Sequence, residues 1–331
     1  MSIFEQIYKK AKTNPKRIVL PEGGDLRVIK AASEAVREKL ARIILLGKAD
    51  LILSKAKRNR LNIKKCEIIE PLRDKKLDEY IGRYRDLRKH RGVTLDQSRK
   101  LVSGDPVFFA AMMLRAGRVD SFVAGASHTT SDIARAALRC IKRDPVYSIA
   151  SGAFLVELKD KRYGENGLFL FADCAIVPLP KPEQLADIAA ASSEVWTKVT
   201  GYKPRLAMLS FSSKGSGCGP CVDKIREACE ILKKLKPDLV IDGELQADSA
   251  VVPAVARIKV PNSPIKGRAN ILIFPNLDSG NIAYKLIQRL AQARVVGPVI
   301  QGLSKPCSDL SRGCSPKEII DAIALTSVMA R

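Results

Sequence analysis

The chain has 331 residues, of which 46% are hydrophobic and 28% charged, so it has enough apolar material for about two packed domains and is not a disordered segment. Fifty-seven Lys and Arg against 35 Asp and Glu leave a formal charge of +22, which favours anionic ligands. No apolar run approaches the roughly 20 residues of a membrane helix, and the opening MSIFEQIYKKAKTNP lacks the apolar block of a signal peptide. No membrane partner and a cytoplasmic location are expected.

After the amphipathic first helix, residues 17–21 read as a short buried strand, and Glu22-Gly-Gly-Asp25 turns the chain into a helix over 26–40. Strands follow at 41–46 and 66–69, which sets a βαβ rhythm and a parallel sheet. Helical patterns cover 76–89, 95–102 and 105–116, the last with Asp105 as N-cap and Pro106 at the first helical position. Residues 121–126 are a buried strand that ends in a small, hydroxyl-rich turn through His128 to Thr130, before a helix over 132–141. Such a turn is a ligand-binding place in open α/β sheets.

From residue 146 the texture changes. Residues 146–158 and 167–176 read as an antiparallel hairpin across a charged loop. A helix at 182–200, a strand at 206–211, a glycine-rich loop at 212–220 and a helix to 235 come next. Then a strand at 239–241, a helix at 247–258, a strand at 271–274 and a helix at 281–293 lead to an apolar strand at 295–303. A final helix covers 319–330. The pattern implies two α/β domains: residues 1–145 with 297–331 as a discontinuous first domain, and 146–296 inserted into it.

Several clusters offer chemistry. Asp309-Leu-Ser-Arg-Gly-Cys-Ser-Pro-Lys-Glu318 combines a hydroxyl, a guanidinium and a carboxylate ahead of the last helix, as a loop handling an anion would. The same residues also read as a capping box, with Ser315 as N-cap and Glu318 three positions on. Ser212–Pro220 resembles a phosphate-cradling loop but matches neither a Walker nor a dinucleotide motif. Cys218-Gly-Pro-Cys221 has the spacing of a redox dithiol without the surrounding fold signature, and all eight cysteines are expected to be reduced. Only His90 and His128 are present, which leaves His-based metal sites and Ser-His-Asp triads poorly supplied. His128 suits a supporting hydrogen bond and His90 a basic helix end. Residues 51–100 carry sixteen basic and seven acidic side chains but only Tyr80 and Tyr84 as aromatics. A solvated basic face is expected there, and specific nucleic-acid recognition is not.

Nine blocks go beyond pattern. Arg17-Ile-Val-Leu-Pro-Glu-Gly, Leu87-Arg-Lys-His-Arg-Gly, Asp105-Pro-Val-Phe-Phe-Ala-Ala-Met-Met, Val123-Ala-Gly-Ala, Phe171-Ala-Asp-Cys, Ala207-Met-Leu-Ser-Phe-Ser, Asp242-Gly-Glu-Leu-Gln, Phe274-Pro-Asn-Leu-Asp-Ser-Gly-Asn and Asp309-Leu-Ser-Arg-Gly-Cys-Ser occur in order over essentially the whole chain. Together they resemble the phosphate acetyltransferase (phosphotransacetylase) family. The resemblance implies two three-layer α/β domains with a cleft between them, similar to the isocitrate/isopropylmalate dehydrogenase-like fold, and a homodimer. It implies reversible acetyl transfer between acetyl phosphate and coenzyme A by direct thiolate attack, with coenzyme A as substrate and no tightly bound cofactor or metal.

Carried over by motif, the family's catalytic serine and arginine fall on Ser311 and Arg312. Glu318 stands where the family has its catalytic aspartate, seven residues after the serine. The anion-binding arginines fall on Arg88, Arg135 and Arg289. The departure from aspartate leaves Glu318 readable as base or as cap only. Three rival readings remain at this point. Phosphate butyryltransferase is the same chemistry with a longer acyl chain. A catalytically impaired binding or scaffold homologue would account for the altered carboxylate and the basicity. A metal- and nicotinamide-dependent dehydrogenase related by fold lacks both a dinucleotide fingerprint and an aspartate cluster.

Overall fold

The computed structural model describes residues 2–330. Its contacts divide into two units, Met1–Arg143 with Leu303–Arg331, and Asp144–Gly302.

The first unit alternates helix and strand. Helix α1 (Ile3–Thr13) starts on a Ser2/Glu5 capping box and buries Ile3, Phe4 and Ile7. Strand β1 (Lys16–Leu20) leads through the Glu22–Asp25 turn to α2 (Leu26–Arg37), where the Asp25 carboxylate accepts from Arg27 N. Then come β2 (Ala41–Leu46), α3 (Ala49–Arg58), β3 (Glu67–Ile69), α4 (Leu77–Arg88), α5 (Leu95–Gly104) and α6 (Pro106–Arg115). Every residue of α6 from Val107 to Leu114 is buried, which is why its sequence is apolar all round rather than on one stripe. Strand β4 (Ser121–Ala124) and α7 (Thr130–Cys140) complete the first pass.

The second unit opens with β5 (Ser151–Glu157) and β6 (Leu168–Ala172), antiparallel as the charged intervening loop led us to expect. It continues through α8 (Pro182–Thr200), β7 (Arg205–Leu209), α9 (Pro220–Leu235), β8 (Val240–Leu245), α10 (Ala247–Val251), α11 (Pro253–Lys259), β9 (Ile271–Ile273), α12 (Leu277–Leu290) and β10 (Arg294–Gln301). Its order is β10-β5-β6-β9-β7-β8, with the first two pairings antiparallel and the others parallel. Phe154, Phe169, Phe171 and Phe274 pack in its core. The chain then re-enters the first unit as β11 (Cys307–Asp309) and α13 (Pro316–Met329). The first unit's order is β3-β2-β1-β4-β11, parallel throughout.

Four local differences from the sequence reading have physical causes. Helix α3 was not expected, because Leu51 and Leu53 face solvent while Ile52 and Ala56 are buried, which blurs its apolar stripe. The helix expected over 247–258 is divided at Pro253, whose ring cannot follow a helical residue without a break. The strand expected over 295–303 ends at Gln301, so residue 297 lies inside β10, which pairs with β5 of the second unit. Strand β11 was missed because two of its three residues, Ser308 and Asp309, are polar; pairing with β4, not hydrophobicity, makes it a strand.

The glycine-rich loop before α9 is held from below by Glu244 of β8. Its carboxylate accepts from Ser212 Oγ at 3.0 Å, Gly215 N at 2.9 Å, Arg226 Nε at 2.9 Å and Arg226 Nη2 at 3.0 Å. Burial alone would raise its pKa, but the Arg226 bonds and the Gly215 N–H outweigh it and hold the carboxyl at about 2. The proton is therefore bound less tightly in the fold than in the unfolded chain. The stabilisation is complete above the ordinary glutamate range and is lost as pH falls from about 4.5 to about 2. Glu244→Gln should cost about 2 kcal/mol at neutral pH, since Arg226 is partly exposed and its loss is correspondingly screened. It should also flatten the acid limb of a denaturation curve; an unchanged midpoint at pH 7 would contradict this role.

Candidate active site

The loop between β11 and α13 presents two of the expected residues to solvent. Ser311 and Arg312 are exposed, whereas Leu310 and Cys314 on either side are buried and anchor the loop. Cys314 N donates to Ser311 O at 2.9 Å, and Gly313 N donates to Ser311 Oγ at 3.3 Å, so the loop closes on itself as a tight turn. The Arg312 guanidinium makes no hydrogen bond or ion pair among the described residues and is available to an anion. Burial pushes the Cys314 thiol up to about 11, with Arg27 opposing and Glu318 adding to the rise, so Cys314 is a packing residue and not a thiolate.

Glu318 forms the capping box. Its Oε2 accepts from Ser315 N at 2.7 Å, while Glu318 N donates to Ser315 Oγ at 3.3 Å. Oε1 makes no hydrogen bond among the described residues. The carboxylate thus holds the start of α13 with one oxygen and keeps the other unengaged.

Two residues absent from the expected site fix this loop. Arg27, at the start of α2, donates from Nη1 to Arg312 O at 2.7 Å and to Cys314 O at 3.3 Å, and from Nη2 to Ala126 O at 2.7 Å. Asp25 holds the same guanidinium at 2.7 Å. Burial works to raise the Asp25 pKa, but the Arg27 bonds outweigh it and leave the carboxyl lowered. Glu22 does more. Its carboxylate accepts from the backbone N–H of Gly125, Ala126, Ser127 and His128 at 2.7 to 3.0 Å, and from Ser127 Oγ at 3.0 Å. His128 Nδ1 lies 2.8 Å from the same carboxylate.

The turn after β4 is therefore not an open anion site. An internal carboxylate fills the nest that its sequence offered to a ligand, and His128 has the supporting role expected of it. Gly125 is required here. Its φ is +116°, and a Cβ would lie 2.3 Å from Asp309 Oδ1 and 2.6 Å from Leu310 N and O. The turn and the loop that carries Ser311 and Arg312 thus touch at backbone level. Glu22 was within reach of the sequence, since it stands in the first of the nine blocks. Beyond its neighbour Asp25, the partners of Arg27 lie about 100 and 285 residues away, where nothing local marks them.

Arg88 ends α4, half-buried and with no ion pair among the described residues. Arg135 lies exposed on α7, bonded to Asp132 at 3.1 Å and Ser131 at 3.5 Å. Helix α4 packs on α7, and α7 on β11, so both arginines share the first unit with Ser311. Arg289 is exposed in the last turn of α12, in the second unit. His90 is exposed in the short turn after α4. Cys218 and Cys221 are both exposed free thiols, and the backbone donors of Ser212, Ser213, Gly215, Ser216 and Gly217 are spent on acceptors of the chain, among them Glu244 and Ser212 Oγ. No group of three or more His, Cys, Asp or Glu suited to a metal occurs among the described residues. No helix among them is long and apolar enough to cross a membrane.

An exposed hydroxyl and an unpaired guanidinium on one loop, with a half-free carboxylate in the first turn of the helix that follows it, are suited to polar group transfer involving an anion. Comparison with known proteins agrees. The family described as phosphate acetyl/butaryl transferase matches residues 2–327. A phosphate acetyltransferase from Thermoanaerobacterium thermosaccharolyticum is 49% identical over the whole of both chains. One from Clostridium acetobutylicum is 46% identical over all of this chain and 99% of that one. A solved phosphotransacetylase from Streptococcus pyogenes superposes with a TM-score of 0.92 at 39% identity, covering 100% of this chain and 99% of that one. A 4-hydroxythreonine-4-phosphate dehydrogenase from Salmonella typhimurium, at 10% identity and a TM-score of 0.57, shares the fold alone. The chain belongs to the phosphotransacetylase family and is an acyltransferase.

Proposed function

We propose that the chain transfers acetyl between acetyl phosphate and coenzyme A, with Ser311, Arg312 and Glu318 at the reacting centre. The observation that carries this is the exposed Ser311–Arg312 pair on a loop pinned by Arg27, with the Arg312 guanidinium unpaired among the described residues. Coenzyme A reacts as a thiolate, and a free thiol with a pKa of about 8.5 needs a base to become one at neutral pH. Glu318 Oε1 takes that proton while Oε2 keeps its bond to the helix cap. The thiolate sulfur attacks the carbonyl carbon of acetyl phosphate. Ser311 Oγ orients the thiol and the oxyanion that develops, and the carbon–oxygen bond to phosphate then breaks. Arg312 neutralises the departing phosphate, and its planar fork suits two phosphate oxygens at once. The products are the acetyl thioester and inorganic phosphate, with no covalent enzyme intermediate. Arg88, Arg135 and Arg289 hold phosphate groups of the two substrates. The proposal extends to a cytoplasmic homodimer acting in acetate metabolism, supported by the family resemblance.

The nearest second reading, butyryl transfer, is favoured by the family description that matches the chain, which covers both acyl groups. Discrimination between acyl chains rests on about 1 to 3 kcal/mol per methylene, so parallel assays with acetyl and butyryl phosphate separate them.

Coenzyme A-dependent release of phosphate from acetyl phosphate tests the function, and no release at millimolar substrate would refute it. Glu318→Gln should lower kcat by on the order of 10²-fold if the carboxylate is the base. An unchanged kcat with a lower melting temperature would assign it to the cap alone. Arg312→Ala should act mainly on acetyl phosphate, lowering kcat/KM for it by on the order of 10²-fold with KM for coenzyme A nearly constant. Normal turnover at low acetyl phosphate would count against the assignment.

A further inference from the structure

Asp309 is a buried carboxyl next to the catalytic loop that the proposed chemistry leaves unused. It ends β11 at 1% exposure, and its Oδ1 accepts from Leu310 N at 2.9 Å. Its Oδ2 is buried and has no hydrogen-bond partner among the described residues. The close approach of Gly125 places the same Oδ1 against the turn after β4. Asp309 is thus wedged where the Ser311–Arg312 loop leaves the sheet.

Its surroundings are poor in donors. Glu22, from the segment after β1, is a second carboxyl group that spends its acceptors on the turn, and the Cys307 thiol on β11 is itself raised by burial and by Asp309. Helix α7 contributes the Thr130 hydroxyl, and β4 ends at Gly125, which has no side chain. Helix α13 carries Asp321, which is engaged by Tyr8 Oη at 2.5 Å. Burial pushes the Asp309 carboxyl up to about 7, with Thr130 and Leu310 N pulling the other way and Glu22 adding to the rise.

We propose that Asp309 is a positioning residue for Ser311 and Arg312, and that its uncharged carboxyl clamps Leu310 against the turn at Gly125. The physical ground is the unpartnered oxygen. An anion there is a desolvated charge facing Glu22, whereas a neutral carboxyl keeps the Leu310 bond without that cost. Ionisation on the alkaline side then loosens the loop that carries the serine and arginine. The inference rests on the catalytic reading of those two residues.

Asp309→Asn keeps the shape and cannot ionise, and Asp309→Ala removes the wedge. The ratio of kcat for Asp309→Asn to that of the native protein should rise about threefold to tenfold between about pH 6 and about pH 8. Asp309→Ala should lose about tenfold or more in kcat with KM for acetyl phosphate within about threefold, the pattern of a misplaced rather than an unbound substrate. Amide hydrogen exchange over residues 310–314 supplies a readout independent of activity. Exchange in the native protein, relative to Asp309→Asn at the same pH, should accelerate as pH rises through neutrality. A pH-independent ratio in both kcat and exchange would overturn the proposal. If no preparation turns over acetyl phosphate, the functional reading fails and the exchange arm alone decides the clamp.

Discussion

The geometry of the candidate site depends on a buried carboxylate whose partners are all internal. Glu22 accepts four successive backbone N–H groups, a hydroxyl and an imidazole nitrogen from the turn after β4. Without it those donors would sit at the end of a parallel sheet with no partner, in a segment whose Gly125 and Ala126 are buried. Fixing the turn fixes the surface on which Leu310 and Asp309 rest. Arg27 adds the second constraint, joining Ala126 O on the turn to Arg312 O and Cys314 O on the loop through one guanidinium. Ser311 and Arg312 then project from backbone that is held on both sides, the condition under which a short polar loop can keep a fixed geometry.

The capping box and the proposed base share one residue without conflict. A carboxylate has two oxygens and about four acceptor sites, and the helix uses one of those oxygens. The cap also limits where the carboxylate can go, because its bond to Ser315 N restricts the side-chain rotamers. The glutamate side chain reaches back to the cap with Oε2 and leaves Oε1 without a hydrogen bond among the described residues.

Much of this was readable from the sequence where local physics decides. The α/β rhythm, the hairpin of β5 and β6, and the caps at Asp105 and Ser315 follow from apolar periodicity and short-range hydrogen bonding, and each has its counterpart in the structure. Ser311, Arg312 and Glu318 were legible as a motif but not as a geometry. What escaped was long-range. Glu22 and Arg27 act on residues about 100 to 290 positions away, and β11 is a strand through its pairing with β4 rather than through its own apolar pattern. The phosphate-cradle reading of the 212–220 loop had the right backbone chemistry, yet the acceptor is the chain's own Glu244. In both glycine-containing turns the donors that a sequence offers to a ligand are claimed internally, and only tertiary structure tells the two cases apart.

The discontinuity of the first unit bears on how the site comes into being. Strands β1 to β4 are made early, but β11, which completes their sheet beside β4, follows the whole of Asp144–Gly302 in the chain. A ribosome-bound chain that has emerged only through α12 therefore displays β4 with one edge unpaired and the Glu22 turn without its loop. Closure of that edge needs a contact spanning roughly 180 residues, a slow step by loop-closure entropy. Until it occurs, β4 is an open edge available to other strands. The segment that completes the sheet is also the one that carries Ser311 and Arg312, so that loop takes its place only as the sheet closes.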